Sequence, residues 1–196
     1  GGRSSKQQPL LQIGNHVEVK WRARLDEHLG QYTMEPITFS AAKLMESQMA
    51  LNGMQVLAAH LRLLPDRDPH PALFDQLVAI IDHFDEPLLA IEFMARFELR
   101  LLEELGFGLD LSECAATGAR QELVYVSPKS GRAVSRKAGE PWAEKLLALP
   151  PFLEDRPGCG LDALSAEAAW KLAAFFLERD VWLPRGLAPP EARAAF

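Results

Sequence analysis

The sequence predicts an α+β fold in which a short β region precedes a run of helices. Near the amino terminus, apolar and charged residues alternate with a period of two, which is typical of strands. From Ser40 onward, apolar residues recur every three or four positions, which is typical of helices. A short hairpin pattern interrupts the helical part between residues 123 and 135. With 196 residues, 48% of them hydrophobic, the chain is long enough to bury a core.

Residues 16–25 predict the first strand. One face is apolar and the other is charged: Val17, Val19, Trp21, Ala23 and Leu25 alternate with Glu18, Lys20, Arg22 and Arg24. We therefore expect a half-buried strand with Trp21 turned into the core. A second strand follows at residues 32–37, and Pro36 restricts it to an edge or an end of the sheet because proline donates no ladder hydrogen bond.

Three helices follow the strands. Ser40 is predicted to cap one long helix that ends at Pro65, and Pro71 begins a second that runs to about Asp85. Pro87 begins the third, whose inward positions are Ala90, Met94, Phe97, Leu101 and Leu105. Its outer face carries charges at four-residue spacing: Glu92, Arg96, Arg100 and Glu104. Glu92 and Arg96 have the spacing and order of a stabilising helical ion pair.

The remaining elements are short. Residues 123–126 and 132–134 predict a hairpin closed by the turn at residues 127–131. Pro141 is expected to begin a short helix through Ala148, and Ser165 to cap a last helix that ends near Val181. Residues 188–196 predict a loose tail.

The charge of the chain is unevenly distributed. The net charge is −6, yet the first 24 residues contain five cations against one carboxylate, Glu18: Arg3, Lys6, Lys20, Arg22 and Arg24. Neither a signal peptide nor an apolar run of the roughly 20 residues that cross a bilayer is found in the sequence. Two cysteines do not make a disulfide framework, so we expect a reducing cytoplasm.

Motifs for catalysis are weak in this sequence. Asp66, Asp68 and His70 bring two carboxylates and an imidazole together, which allows a metal hydrolase, but a turn whose Asp or His caps the next helix is the favoured interpretation. Neither a Gly-rich phosphate loop after a strand nor a Gly-x-Ser-x-Gly motif occurs, and Cys114 has no triad partner. The sequence therefore favours a binding protein over an enzyme.

One stretch carries a family resemblance. The helix at residues 97–105 ends in Leu105-Gly106-Phe107-Gly108 and leads to a lone cysteine, Cys114. Together with residues 123–135 and Pro184-Arg185-Gly186, this pattern resembles the RecO family of bacterial recombination mediators. The resemblance implies that residues 1–39 are the second half of an OB-fold barrel and that residues 40–187 form a helical domain. It also implies a zinc-ribbon-like excursion at residues 111–139 and a tail at 188–196.

The resemblance also points to a degenerate metal site. Family members often hold zinc there with two Cys-x-x-Cys pairs, whereas this chain places Cys114, Thr117, Ser135 and Ala138 at the four positions. Cys159 could supply at most a second ligand. Because structural zinc requires four ligands, we expect neither zinc nor any other cofactor.

The function is implied by the same resemblance. A RecO-like protein binds single- and double-stranded DNA, promotes annealing and, with RecR, helps to load RecA onto strands coated by single-stranded-DNA-binding protein. The candidate DNA-binding residues are Arg3, Lys6, Lys20, Arg22 and Arg24, although plain solvation of a sheet face explains the same pattern. The resemblance further implies cytoplasmic, nucleoid-associated action and no membrane partner.

A second candidate site lies on the third helix. RecO proteins bind the acidic C-terminal tail of single-stranded-DNA-binding protein, and Arg96, Phe97 and Arg100 are the candidate residues for that tail. The alternative is that Arg96 only forms an ion pair with Glu92 on the helix surface. A rival function for the whole chain is a helical protein-interaction adaptor without direct DNA binding, which the acidic net charge supports.

Overall fold

The computed structural model describes residues 7–25, 28–154 and 160–196. Strands β1 (His16–Arg22) and β2 (Gln31–Thr38) pair antiparallel as a two-stranded sheet. Both predicted strands are therefore confirmed. The expected burial of one face is wrong: Trp21 is 44% exposed and Val19 is 50% exposed. With only two strands in the sheet, the apolar face is left without a covering layer in the described structure.

The predicted long helix is in fact two helices. Helix α1 spans Ala41–Met45 and α2 spans Gln48–Leu61. Ser47 adopts an extended backbone between them, and its hydroxyl accepts a hydrogen bond from the Ala50 backbone N–H at 3.2 Å. This local cap begins a new helix where apolar periodicity alone predicted continuity. Ser40 occupies the N-cap position of α1 but makes no capping hydrogen bond with its side chain.

The next two helices begin where the sequence predicts. Helix α3 spans Pro71–Asp82 and α4 spans Pro87–Glu104, each with proline in its first turn. All but one of the predicted inward positions of α4 are fully buried, and Leu105 is partly buried: Ala90, Met94, Phe97, Leu101 and Leu105. Helix α4 packs against α2, α3 and α6 (Ala163–Leu177) and forms the centre of the core.

A second, three-stranded sheet follows α4. Strands β3 (Leu123–Val126) and β4 (Ala133–Ser135) form the predicted antiparallel hairpin, closed at Gly131, whose φ of 68° is readily adopted by glycine. Helix α5 (Arg136–Gly139) and a 3-10 helix (Glu140–Lys145) come next. Leu147–Ala148 is strand β5, which pairs with the free edge of β3, so the helix predicted through Ala148 is wrong beyond Lys145.

The carboxyl-terminal elements depart furthest from prediction. A 3-10 turn (Pro151–Glu154) precedes α6, which is capped by Asp162 rather than by Ser165. Ser165 is the third helical residue and completes a capping box with Asp162. A π-helical turn (Glu178–Trp182) and a 3-10 turn (Leu183–Arg185) follow α6. The predicted loose tail instead contains helix α7 (Glu191–Ala194), which packs against α2.

The hairpin sheet and the helices share one core. Val126, Ala133 and Leu149 belong to the same buried cluster as Phe176 and Leu177 of α6. The hairpin sheet is therefore joined to the helical part by apolar packing. In the part of the chain that the structure describes, no helix has the length and apolarity that crossing a bilayer requires.

Candidate functional site

The first candidate surface is the charged face of the β1–β2 hairpin. Glu18, Lys20 and Arg22 lie on this face, and Arg24 is exposed just beyond β1. Arg3 and Lys6 lie outside the described residues. The hairpin register adds a carboxylate that sequence reasoning missed, because Glu35 of β2 lies directly opposite Glu18.

These carboxylates partly neutralise the basic strand. The Lys20 ammonium lies 3.1 Å from a Glu18 oxygen and 3.9 Å from a Glu35 oxygen. The hydrogen bond from Lys20 to Glu18 and the two negative charges raise the pKa of Lys20. Lys20 thus stays charged at neutral pH, but it already has local counter-ions, whereas Arg22 and Arg24 form no ion pair within the described residues.

The second candidate surface is a groove of about 460 Å³ beside α4, which we call the α4 groove. One wall is the outer face of α4, where the lining side chains recur every three or four residues. The other wall comes from α3, the segment that follows α4 and the 3-10 turn before α6. Its lining is Gln76, Arg96, Leu99, Arg100, Glu103, Gly108, Leu109, Asp110, Leu111 and Leu153. The groove therefore combines an apolar floor with two arginines.

Both arginines are held in place by neighbours. Arg96 donates from Nε to Glu92 at 2.9 Å and from Nη2 to the Phe152 carbonyl at 2.6 Å. Arg100 donates to Glu104 at 2.7 Å and to Glu103 at 3.1 Å. The predicted Glu92–Arg96 pair is therefore present. A carboxylate ligand would have to share or replace these partners.

Gln76 lines the α4 groove, whereas Phe97 does not. The Gln76 side-chain oxygen is buried and has no hydrogen-bond partner within the described residues, so a donor on a ligand would satisfy it. Phe97 lies on the opposite side of α4, fully buried in the core, which corrects its predicted contact with a ligand. Sequence spacing could have found Leu99 and Glu103, but the facing wall arises only from tertiary packing.

Cys114, Thr117 and Ser135 come together in the structure, so the candidate metal site contains one thiol. Cys114 is buried, and its sulfur accepts a hydrogen bond from the Ser135 backbone N–H at 3.2 Å. Burial alone would raise the pKa of Cys114, but hydrogen bonds from Ser135, Thr117 and Ala116 outweigh it and lower that pKa to about 6. Since zinc requires four ligands, the residues present do not fit the ion. Cys159 lies outside the described residues.

In the alternative cluster of Asp66, Asp68 and His70, Nε2 of His70 lies 3.8 Å from an Asp68 oxygen. His70 is the N-cap residue of α3, but its side chain makes no cap; instead Nδ1 lies 3.1 Å from Glu104. The capping role predicted for this His is therefore wrong. Across residues 7–25, 28–154 and 160–196, no three His, Cys, Asp or Glu side chains are grouped so that they could hold a metal ion.

The sequence of the chain matches known proteins over its whole length. Residues 56–181, which include α4 and the hairpin sheet, match the family described as "Recombination protein O C terminal", so by class this is a recombination protein. The whole chain is 58% identical to the DNA repair protein RecO of Brucella abortus (strain 2308), of which it covers 79%. It is also 58% identical to the DNA repair protein RecO of Mesorhizobium japonicum, with 78% of that protein covered. The protein with the same name from Rhizobium johnstonii is 60% identical, with 76% covered.

The chain belongs to the RecO family. Its role lies in DNA repair and recombination. The family resemblance carried by the helix ending at Gly106-Phe107-Gly108 and by Cys114 is thereby confirmed.

Proposed function

We propose that this chain acts as a recombination mediator that binds single- and double-stranded DNA and promotes annealing. With RecR, it helps to load RecA onto strands coated by single-stranded-DNA-binding protein. The observation that carries the proposal is the 58% identity to a DNA repair protein RecO over the whole of this chain. Binding and exchange of partners, without catalysis, is the proposed activity. The proposed place of action is the cytoplasm, at the nucleoid.

The hairpin β1–β2 is proposed to belong to an OB-type barrel. A barrel has an apolar interior, and the face that bears Val19, Trp21 and Met34 is the one such an interior requires. That face is largely exposed here. The relatives are longer than this chain, and strands outside it are proposed to cover the face.

DNA contact is assigned to the outer face of this hairpin. Lys20, Arg22 and Arg24 present exposed positive charge, to which Arg3 and Lys6 are proposed to add. Phosphate neutralisation dominates non-specific affinity for DNA, and each contact contributes to the salt dependence. Glu18 and Glu35 oppose this binding because they stand among the cations.

The charge arrangement allows a test with opposite expected signs. Replacing Lys20, Arg22 and Arg24 by Ala should weaken binding to all single-stranded sequences alike and flatten the salt dependence. Replacing Glu18 and Glu35 by Gln should strengthen binding at low salt. Binding is measured by fluorescence anisotropy across a salt series, with Arg62, Lys129 and Lys171 replaced by Ala as an equally discharged control. Equal affinity and salt slope in all four proteins would mean that the face is only solvated.

The α4 groove is proposed as the receptor for the acidic tail of single-stranded-DNA-binding protein. Such a tail ends in an apolar side chain and a free carboxylate. Leu99, Leu109 and Leu111 offer the apolar floor. Arg96 and Arg100 offer guanidinium groups that can hold a carboxylate bidentately.

A second candidate function is a protein-interaction adaptor without direct DNA binding. The net charge of −6 and the carboxylates beside Lys20 favour it. Salt-dependent retention on single-stranded DNA separates the two functions. An adaptor would bind the tail peptide and pass through a DNA column at every salt concentration.

A further inference from the structure

The last six residues close a largely buried charge cluster. Arg193 of α7 reaches Glu98 in the middle of α4, donating from Nε and Nη2 to the two carboxylate oxygens at 2.8 and 2.6 Å. The Glu98 side chain is 0% exposed and that of Arg193 is 10% exposed. Nη2 of Arg193 also donates to the Trp170 carbonyl at 2.8 Å, and the guanidinium carbon lies 3.6 Å from the Trp170 ring centroid.

The surrounding contacts hold the same six residues, which we call the latch (residues 191–196). The Asn52 side chain donates to the Ala195 carbonyl at 2.8 Å, and the Phe196 ring lies against Phe84 and Trp170. A Cβ at Gly53 would come within 2.8 Å of Phe196, so α2 leaves just enough room for this ring. By contrast, residues 186–189, which lead into the latch, are exposed. The latch is therefore held by the ion pair of Arg193 with Glu98 and by the packing of Phe196 against Phe84 and Trp170.

A third titratable group lies beside this pair. His60 of α2 is fully buried, and its Nε2 lies 3.7 Å from a Glu98 oxygen. Its ring stacks on Trp182 with centroids 5.9 Å apart, and neither ring nitrogen has a hydrogen-bond partner within the described residues. Unpartnered buried nitrogens are costly, so the arrangement requires an explanation.

Burial keeps His60 neutral, and the charge of Arg193 in the latch adds to this effect. Burial and the nearby positive charge of Arg193 lower the pKa of His60 from its ordinary 6.5 to about 3. Burial raises the pKa of Glu98, whereas the hydrogen bonds and charge of Arg193 act in the opposite direction. The charged or titratable groups facing Glu98 in the described structure are His60 and Arg193; α6 adds the Trp170 carbonyl and the π turn adds the Trp182 ring.

We propose that residues 191–196 are a proton-linked latch: when Arg193 leaves Glu98, His60 takes up a proton and becomes the counter-ion of that carboxylate. A bare buried carboxylate is strongly disfavoured, and His60 is the one neighbour positioned to compensate it. Opening would uncover the apolar cleft between Phe84 and Trp170. The latch thus couples exposure of that cleft to protonation.

The sign of the pH effect follows from the pKa shift. His60 binds its proton less readily in the closed state, with a pKa of about 3, than in the open state. Stability contributed by the closed latch is therefore complete above the open-state pKa and is lost progressively as the pH falls below it. Acidification favours opening.

The direct test is an NMR titration of the His60 imidazole in wild type, Arg193→Met and the control Arg185→Met. The control removes an arginine from an exposed 3-10 turn outside the latch. In Arg193→Met, the pKa of His60 should rise by about one unit, and in the control it should remain at the wild-type value. A His60 pKa that is the same in all three proteins would overturn the proposal.

A measurement on the wild-type protein covers the case in which Arg193→Met fails to fold. Amide hydrogen exchange of residues 192–195, corrected for intrinsic rates, gives the opening equilibrium of the latch. Below the open-state pKa of His60, this equilibrium should rise by about tenfold for each pH unit, while the amides of β3 show no such change. The proposal would be contradicted if the opening equilibrium of the latch were independent of pH between roughly 7 and 5, the range in which a histidine titrates.

Discussion

Arg96 is the single residue whose replacement tests the proposed peptide site. It lines the α4 groove between Leu99 and Leu153, and its guanidinium is oriented by Glu92 and the Phe152 carbonyl. Losing one charge-assisted contact to a ligand carboxylate costs about 1.5 to 3 kcal/mol. Arg96→Ala should therefore weaken binding of a labelled tail peptide by about ten- to a hundredfold, measured by anisotropy, with DNA binding unchanged.

The control for Arg96→Ala is Lys171→Ala. Lys171 also forms an ion pair across one helical turn, with Glu167 at 2.6 Å, but on the exposed face of α6. Its removal should leave the affinity for the tail peptide unchanged. Because Arg96 also holds Phe152, the thermal stability of each variant is measured first. Equal peptide affinity in wild type and Arg96→Ala would leave Arg96 with only its internal partners.

Residue-scale prediction from sequence succeeded where partners are close along the chain. The Glu92–Arg96 pair follows from four-residue spacing on one helix, and it is present. The Arg193–Glu98 pair joins residues that are far apart in sequence, and no local pattern marks it. The Glu35 carboxylate beside Lys20 was missed for the same reason, because it depends on the hairpin register.

At the scale of elements, the two serines before α1 and α2 offer a matched test. Ser47 caps α2 through a hydrogen bond from Ala50, whereas Ser40 occupies the same position before α1 without one. Ser47→Ala should cost about 1 kcal/mol of unfolding free energy and lower Tm by about 2 to 4 °C. Ser40→Ala should change stability by less than about 0.5 kcal/mol. Thermal denaturation checks both, and equal shifts would contradict the assigned break between α1 and α2.

Elements with local signals were predicted well. Proline at the first turn identified the start of α3 and α4, and the turn at residues 127–131 identified the hairpin. Strand β5 could not be predicted, since two residues become a strand only by pairing with the edge of β3. Helix α7 was missed because its order comes from contacts of Arg193 and Phe196 with distant residues.

On the scale of the whole molecule, the motif at the end of α4 predicted the family, which composition alone did not indicate. The net charge of −6 favours an adaptor, whereas the Gly106-Phe107-Gly108 ending and Cys114 led to the RecO family. Cys114, Thr117 and Ser135 come together in the structure, and this group contains a single thiol. The expected core position of Trp21 failed because the described sheet has two strands.

We propose that this chain mediates recombination by binding both DNA and single-stranded-DNA-binding protein. The most direct measurement is the annealing rate of complementary strands, bare or coated with that protein. We expect the wild-type chain to accelerate both reactions, and Arg96→Ala to lose about tenfold on coated strands while retaining full acceleration on bare strands. No acceleration of either reaction by the wild-type protein would contradict the account.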